Sequence, residues 1–329
     1  MHTIPIINIE PLVARDSGAE VAETCEQIGF ACRNFGFFYV TGHGISESLQ
    51  QRLESLSHSF FAEPLPEKMS IRMELGGRAW RGYFPVGDEL TSGKPDQKEG
   101  LYFGAELPDD HPKVRAGTVL HGRNLFPAID SFRETILTWL SEMTQLGQTL
   151  MRGLAMSLGL DASYFDDRYT HDPLVLFRVF HYPPLGEQLD QLWSVGEHTD
   201  YGLLTILKQD STGGLQIKTQ SNWIDAPVID NSFVCNLGDM LDRMTAGLYR
   251  STPHRVRNAS VRGRLSFPFF FDPNWDAFVK PIEHGLTATD DSSDRWDGAN
   301  LHNWTGTYGD YIQSKVAKVF PDLKQTTDP

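Results

Sequence analysis

Three short stretches carry side chains that could do chemistry together: His198-Thr199-Asp200, His254-Arg255-Val256 and Arg264-Leu265-Ser266. Residues two apart on a strand point to one face, so His198 and Asp200 can converge on one ion. Alone, that pattern says little. With 11 His and 43 acidic residues, about one His-x-Asp/Glu triplet is expected by chance, and this is the only one present. His254, opening a second strand-like run, gives it a third donor. Arg264 stands within an apolar run, where a buried guanidinium without an anion would cost several kcal/mol. Arg15-Asp16-Ser17 has the same Arg-x-Ser spacing but lies in a polar stretch that makes no such demand. Arg264 and Ser266 share a strand face, so a guanidinium fork and a hydroxyl can hold one carboxylate. Two neutral imidazoles and a carboxylate leave three open positions on an octahedral metal, the facial triad of non-haem Fe(II) oxygenases. Such a metal can take a 2-oxo acid through two oxygens and O2 at the third position. The far carboxylate of 2-oxoglutarate would then need Arg264 and Ser266. A hydrolytic zinc with a water would suit the same three donors, although it has no use for Arg264-Leu265-Ser266.

These side chains need a rigid frame, and the hydrophobic patterning supplies one. From Leu174 to about Pro281 the chain is a series of short β-type runs: Leu174–Tyr182, Gly202–Lys208, Gly214–Lys218, Asn222–Ala226, Ser232–Leu237, Arg255–Asn258 and Arg264–Phe271. Runs of this length and spacing indicate an antiparallel sandwich, jelly roll or barrel. Before them, Ile4–Ile9 and Phe37–Val40 read as strands. Ala19–Asn34, Ser46–Phe61 and about Phe126–Leu158 have helical periodicity, and residues 74–125 read as long loops with short strands. A last helix is expected over about Thr305–Val319. The layout is α+β, with helices around a β core. Residues 1–125 form an N-terminal helical and loop region. Residues 126–329 hold the long helix, the core at about 174–281 and the last helix, and no flexible linker divides the two.

Composition narrows the function classes. The chain has 329 residues, 40% of them hydrophobic, which is ample for a large core. A formal net charge of −14 disfavours phosphate polyanions and anionic membranes, so neither nucleic acid nor membrane is expected as a partner. No run approaches the ~18 apolar residues of a membrane span, and the N-terminus lacks a signal-peptide layout. Cys25, Cys32 and Cys235 form no C-x-x-C pair and read as reduced thiols, so a cytoplasmic location is expected.

The ordered motifs Trp193–Leu207 around His198-Thr199-Asp200, Gly214-Leu215-Gln216, Asn236-Leu237-Gly238-Asp239, His254-Arg255-Val256 and Arg264-Leu265-Ser266 resemble the isopenicillin N synthase-like family. Ile4-Pro5-Ile6-Ile7-Asn8, Phe35-Gly36-Phe37-Phe38 and Gly42-His43-Gly44 resemble its N-terminal region, so the likeness covers about residues 4–320. The resemblance implies a double-stranded β-helix that uses Fe(II) and 2-oxoglutarate to hydroxylate or otherwise oxidise a small molecule with O2, releasing succinate and CO2. It implies that His198, Asp200 and His254 are the iron ligands and that Arg264 and Ser266 anchor the co-substrate. Many members carry Asn-x-Tyr on the strand before the first ligand, with the Tyr hydroxyl on 2-oxoglutarate. Here Tyr182 is retained and Phe180 replaces the Asn. Arg178 resembles a co-substrate-contacting arginine of bacterial ethylene-forming enzymes, and the loop Arg81–Asp96 also resembles theirs. That likeness makes Glu89, Thr91 and Tyr201 candidate substrate contacts, and Tyr83 and Phe84 are candidates as aromatic residues that could shape the substrate mouth. An oxidase without 2-oxoglutarate, like isopenicillin N synthase itself, and an ethylene-forming activity stay open.

Other conspicuous residues have ordinary readings. Phe267, Phe269 and Phe271 read as core, with Pro268 and Phe270 on the face of Ser266. Trp80 and Phe103 could shape a substrate mouth or pack beneath the loop. Asp239 reads as a turn and helix-cap residue, and Arg255, Arg257 and Arg262 as a charged hairpin edge.

Overall fold

The computed structural model describes residues 3–91, 94–184, 194–219, 222–257, 263–283, 290, 292–295, 298 and 300–319. Fourteen strands are present among them: β1 Ile6–Asn8, β2 Phe37–Thr41, β3 Gly82–Phe84, β4 Leu90–Thr91, β5 Lys94–Pro95, β6 Glu99–Gly104, β7 Leu174–Tyr182, β8 Val195–His198, β9 Leu204–Gln209, β10 Leu215–Lys218, β11 Trp223–Asp225, β12 Phe233–Leu237, β13 His254–Val256 and β14 Arg264–Asp272. The helices are α1 Glu10–Val13, α2 Ala19–Asn34, α3 Glu47–Phe61, α4 Leu65–Met69, α5 Pro112–Arg115, α6 Phe132–Ser157, α7 Asp239–Met244 and α8 Tyr308–Val319.

An eight-stranded sheet runs in the order β1-β2-β12-β9-β14-β7-β6-β3, and a four-stranded sheet in the order β11-β10-β13-β8. Apart from the parallel pair β1–β2, the ladders are antiparallel. This is the jelly-roll core expected of the α+β layout. Strands from before residue 125 complete both ends of the large sheet, so early and late segments share one framework.

Alternation along β14 separates the two faces of that sheet. Phe267, Phe269 and Phe271 are fully buried, and Gly147 of α6 lets the helix lie directly on the Phe271 ring, where a Cβ would come within 2.4 Å. Trp139 of α6 meets Phe177 and Phe233 on the same outer face, at 5.9 and 6.0 Å between ring centroids. The opposite face of β14, with Arg264, Ser266, Pro268 and Phe270, turns toward the small sheet and lines a cavity between the two.

The helix expected from Phe126 begins at Phe132. Pro127 disfavours a helical Phe126, whose ring instead stacks on Phe103 at 5.7 Å, and Ser131 at φ 63° turns the chain just ahead of the helix. Ser46 caps α3, its hydroxyl accepting from the Leu49 N–H. The stretch read as long loops with short strands contains β6, a fully buried strand inside the sheet.

Candidate active site

His198 ends β8 and His254 opens β13, and the two are register partners across the small sheet. Their ring centroids lie 4.3 Å apart. Asp200 falls just past the end of β8, so the strand alternation that suggested the pair is replaced by a turn. The turn still brings Asp200 Oδ1 to 4.0 Å from His198 Nε2 and 3.8 Å from His254 Nε2. One ligand atom from each of the three lies within 4.8 Å of the others, and no other such group of three occurs among the described residues.

The surrounding contacts aim these atoms. His198 Nδ1 lies 2.8 Å from the Gly196 carbonyl and His254 Nδ1 lies 3.3 Å from the Thr252 carbonyl. A carbonyl can only accept, so each Nδ1 carries the proton and each Nε2 keeps its lone pair. Burial, and then the neighbouring His254, lower the His198 pKa to about 4, which keeps the ring neutral. Burial alone would raise Asp200, but His254, His198 and hydrogen bonds from Asn236 and Thr205 outweigh it and hold the carboxylate below its ordinary range. Thr205 Oγ1 and Asn236 Nδ2 donate to Asp200 Oδ2 at 2.5 and 2.6 Å, leaving Oδ1 to face the imidazoles. Two imidazole lone pairs and one carboxylate oxygen converging from one side suit a divalent cation with open positions.

Across the cavity, Arg264 is fully buried. Its Nε donates to the Gly213 carbonyl, and its guanidinium stacks 4.7 Å from the Tyr182 ring centroid. Neither Nη1 nor Nη2 meets an acceptor of hydrogen-bonding geometry among the described residues. A buried fork whose terminal nitrogens meet no such acceptor, on the strand face it shares with Ser266, has the chemistry to receive a carboxylate. The cavity joining this receptor to the two histidines measures about 150 Å³, so the residues present fit both a metal and a dicarboxylate.

Comparison with known proteins agrees with that geometry. Residues 4–129 match the family described as non-haem dioxygenase in morphine synthesis N-terminal, and residues 173–273 match the 2OG-Fe(II) oxygenase superfamily. A protein described as a probable iron/ascorbate oxidoreductase of Dictyostelium discoideum is 52% identical over 98% of this chain and 96% of its own length. The chain belongs to the 2OG-Fe(II) oxygenase superfamily. A homoarginine-6-hydroxylase of Arabidopsis thaliana is 33% identical over 98% of this chain and 91% of its own. A full-length Neurospora crassa protein crystallised in complex with alpha-KG and thymine superposes with a TM-score of 0.80 at 27% identity, covering 95% of this chain and 96% of that one. The protein is a non-haem Fe(II) enzyme that oxidises a small molecule with 2-oxoglutarate and O2, and iron takes precedence over the zinc alternative.

As a 2OG-Fe(II) oxygenase, the chain places its remaining candidates unevenly. Tyr182, Arg178, Glu89 and Tyr201 line the cavity. Tyr83 and Phe84 do not. Both are buried, with the Tyr83 hydroxyl donating to Glu99 and the Phe84 ring packed against Tyr102 and Phe180, because β3 is an edge strand paired with β6 whose side chains turn inward. Thr91 belongs to β4, and its side chain lies outside the described residues, as do Arg262 and Trp193. Trp80 and Phe103 are buried packing residues. Asp239 is the first residue of α7 after the cap Gly238. Its carboxylate accepts from the Tyr311 hydroxyl.

Thr205 and Asn236 stand within the recognisable motifs, but no local signal in the sequence gives them a role. Asn236→Leu should weaken metal binding about 10- to 100-fold, the usual loss on removing an outer partner of a ligand, as measured by equilibrium dialysis with Fe(II) under argon.

Burial, opposed by the Tyr308 hydroxyl and aided by Asp200, raises the Asp272 pKa to about 7. For an acid raised on folding, the native state binds the extra proton, so stability is greatest below the ordinary value of 3.8 and falls as pH rises toward 7. In the metal-free protein, Asp272→Asn should flatten this part of the urea-unfolding stability profile.

Proposed function

We propose that His198 and His254 bind Fe(II) through Nε2 and Asp200 through Oδ1, and that Arg264 and Ser266 receive the far carboxylate of 2-oxoglutarate. The observation that carries this reading is the buried Arg264 fork with two unused nitrogens, set across one cavity from the three converging donors. When bound, the iron supplies O2 activation coupled to decarboxylation of 2-oxoglutarate to succinate and CO2. The chain supplies geometry. Gly196 and Thr252 fix the tautomers, Thr205 and Asn236 turn Oδ1 inward, and Arg264 sets the reach of the co-substrate. Tyr182 and Arg178, both on the cavity wall, border its path.

The substrate class proposed is an amino acid with a basic, guanidino-type side chain. It is supported by 33% identity to a homoarginine-6-hydroxylase over nearly the whole chain. Tyr201 and the charge cluster of Glu89, Lys98 and Arg178 add polar groups to the same cavity wall. The three cysteines are buried and free, which favours a reducing compartment such as the cytoplasm, and no described helix is long and apolar enough to cross a membrane. Because strands from both halves share one sheet, residues 1–125 and 126–329 are proposed to work as one unit.

O2 uptake with Fe(II) and 2-oxoglutarate, followed with and without homoarginine, tests the substrate assignment. Stimulated succinate release with oxidation of the amino acid is expected. Stimulation by neutral compounds such as thymine, with none from any basic amino acid, would overturn it.

A further inference from the structure

A second, smaller cavity adjoins the active-site cavity. It measures about 10 Å³, room for one water or one monatomic ion and too little for a carboxylate or a phosphate. Trp80, Arg81 and Tyr102 border it, and Leu176, Arg178 and Val316 stand between it and the large cavity, lining both. Three of these residues bring donors with nothing to donate to. Trp80 Nε1, Arg81 Nε and Arg178 Nε are buried and meet no hydrogen-bond acceptor among the described residues. Trp80 and Arg81 are only 3% and 1% exposed, so bulk water does not serve them. A buried donor left unmade is costly, most of all on a cation.

Arg81 is the group that lacks a counter-charge. Its Nη2 donates to the Leu120 carbonyl at 2.7 Å, a neutral partner. Glu106 is the carboxylate that acts on it, but Asn124 and Arg133 hold that carboxylate and it makes no ion pair with Arg81. Burial pulls the Arg81 pKa down to about 9, with Glu106 opposing only in part. Arg178 differs, because Glu89 lies 3.4 Å from its Nη1. A water in this cavity would need acceptors for its two hydrogens. Guanidinium and indole groups only donate, and the Tyr102 hydroxyl already gives its proton to Glu89 at 2.6 Å. The side chains therefore offer one oxygen lone pair against three N–H donors. A monatomic anion takes all three and returns none.

We propose that this cavity is a chloride site, in which Arg81, Trp80 and Arg178 donate to the ion through their unpartnered N–H groups. The ion is the counter-charge of Arg81, and it ties the segment leading into β3 to Arg178 of β7. The proposal is independent of the iron and co-substrate assignments.

Thermal unfolding of the metal-free protein in sodium chloride and in sodium gluconate, at one ionic strength, tests it, because gluconate is too large to enter. The melting temperature should rise saturably as chloride replaces gluconate. Trp80→Phe keeps a ring and removes the N–H, and should raise the chloride concentration for half the effect about 10-fold. Crystals of the native chain grown in sodium bromide need no variant, and should show an anomalous peak bordered by Trp80, Arg81 and Arg178. Equal stability in the two salts overturns the proposal, as does a cavity without the bromide peak. A chloride effect unchanged in Trp80→Phe also overturns it, since an ion at the Arg264 fork would be indifferent to Trp80.

Discussion

Arg264→Ala should raise the dissociation constant for 2-oxoglutarate by about two to three orders of magnitude, the equivalent of ~3–4 kcal/mol and within the loss expected when one partner of a buried ion pair is removed. Fe(II) binding should change only a few-fold, because Arg264 touches none of the three metal donors. The asymmetry follows from the division of the cavity. The guanidinium spends Nε on Gly213 and a face on Tyr182, and only its two terminal nitrogens remain for a ligand. Parallel titrations of metal and co-substrate read the two affinities separately. Equal loss of both would mean that Arg264 holds up the wall of the cavity and binds nothing in it.

The second large effect belongs to Asp200. Asp200→Ala removes the only anionic donor of the triad and strands the Thr205 hydroxyl and the Asn236 amide, both of which donate to its Oδ2. Fe(II) affinity should fall more than ~100-fold, beyond the ~10- to 100-fold typical of an outer partner. Turnover should fall to background even at saturating metal. Metal analysis after gel filtration and succinate release measure the two quantities, with circular dichroism to check that the sheets persist. Iron retained at one per chain would show that the two histidines bind it with some other third donor.

Much of the frame was readable because its residues obey local rules. Ala19–Asn34 and Leu174–Tyr182 come out with the bounds expected of them, since a helical stripe and a long apolar run are signals contained in the segments themselves. The candidate donors His198, Asp200 and His254 and the buried Arg264 stood out in the sequence for a different reason: their types are chemically demanding and their motifs stand in a recognisable order. What escaped depends on distant partners. Every residue of β6 is buried, so Glu99–Gly104 lacks the alternation that marks a strand, and its glycines answer to remote neighbours. Gly100 makes room for Phe84 and Phe180, and Gly104 for the Arg81 guanidinium. Tyr83 and Phe84 looked like mouth residues because they sit in a glycine-rich stretch, but β3 pairs with β6 and draws both inside. The cluster of Lys98, Glu89 and Asp96 gave no local signal either. Its members are ordinary charged residues in a polar stretch, and only the fold brings their charged groups together.

Anaerobic titration of the Fe(II)-loaded protein with 2-oxoglutarate, followed by the visible charge-transfer absorption of an iron-bound 2-oxo acid, tests the site most directly. The geometry predicts one iron per chain, a band that saturates at one equivalent of 2-oxoglutarate, and a shift of that saturation to far higher concentration in Arg264→Ala. A protein that binds iron but develops no band, or whose band saturates identically with and without Arg264, would contradict it.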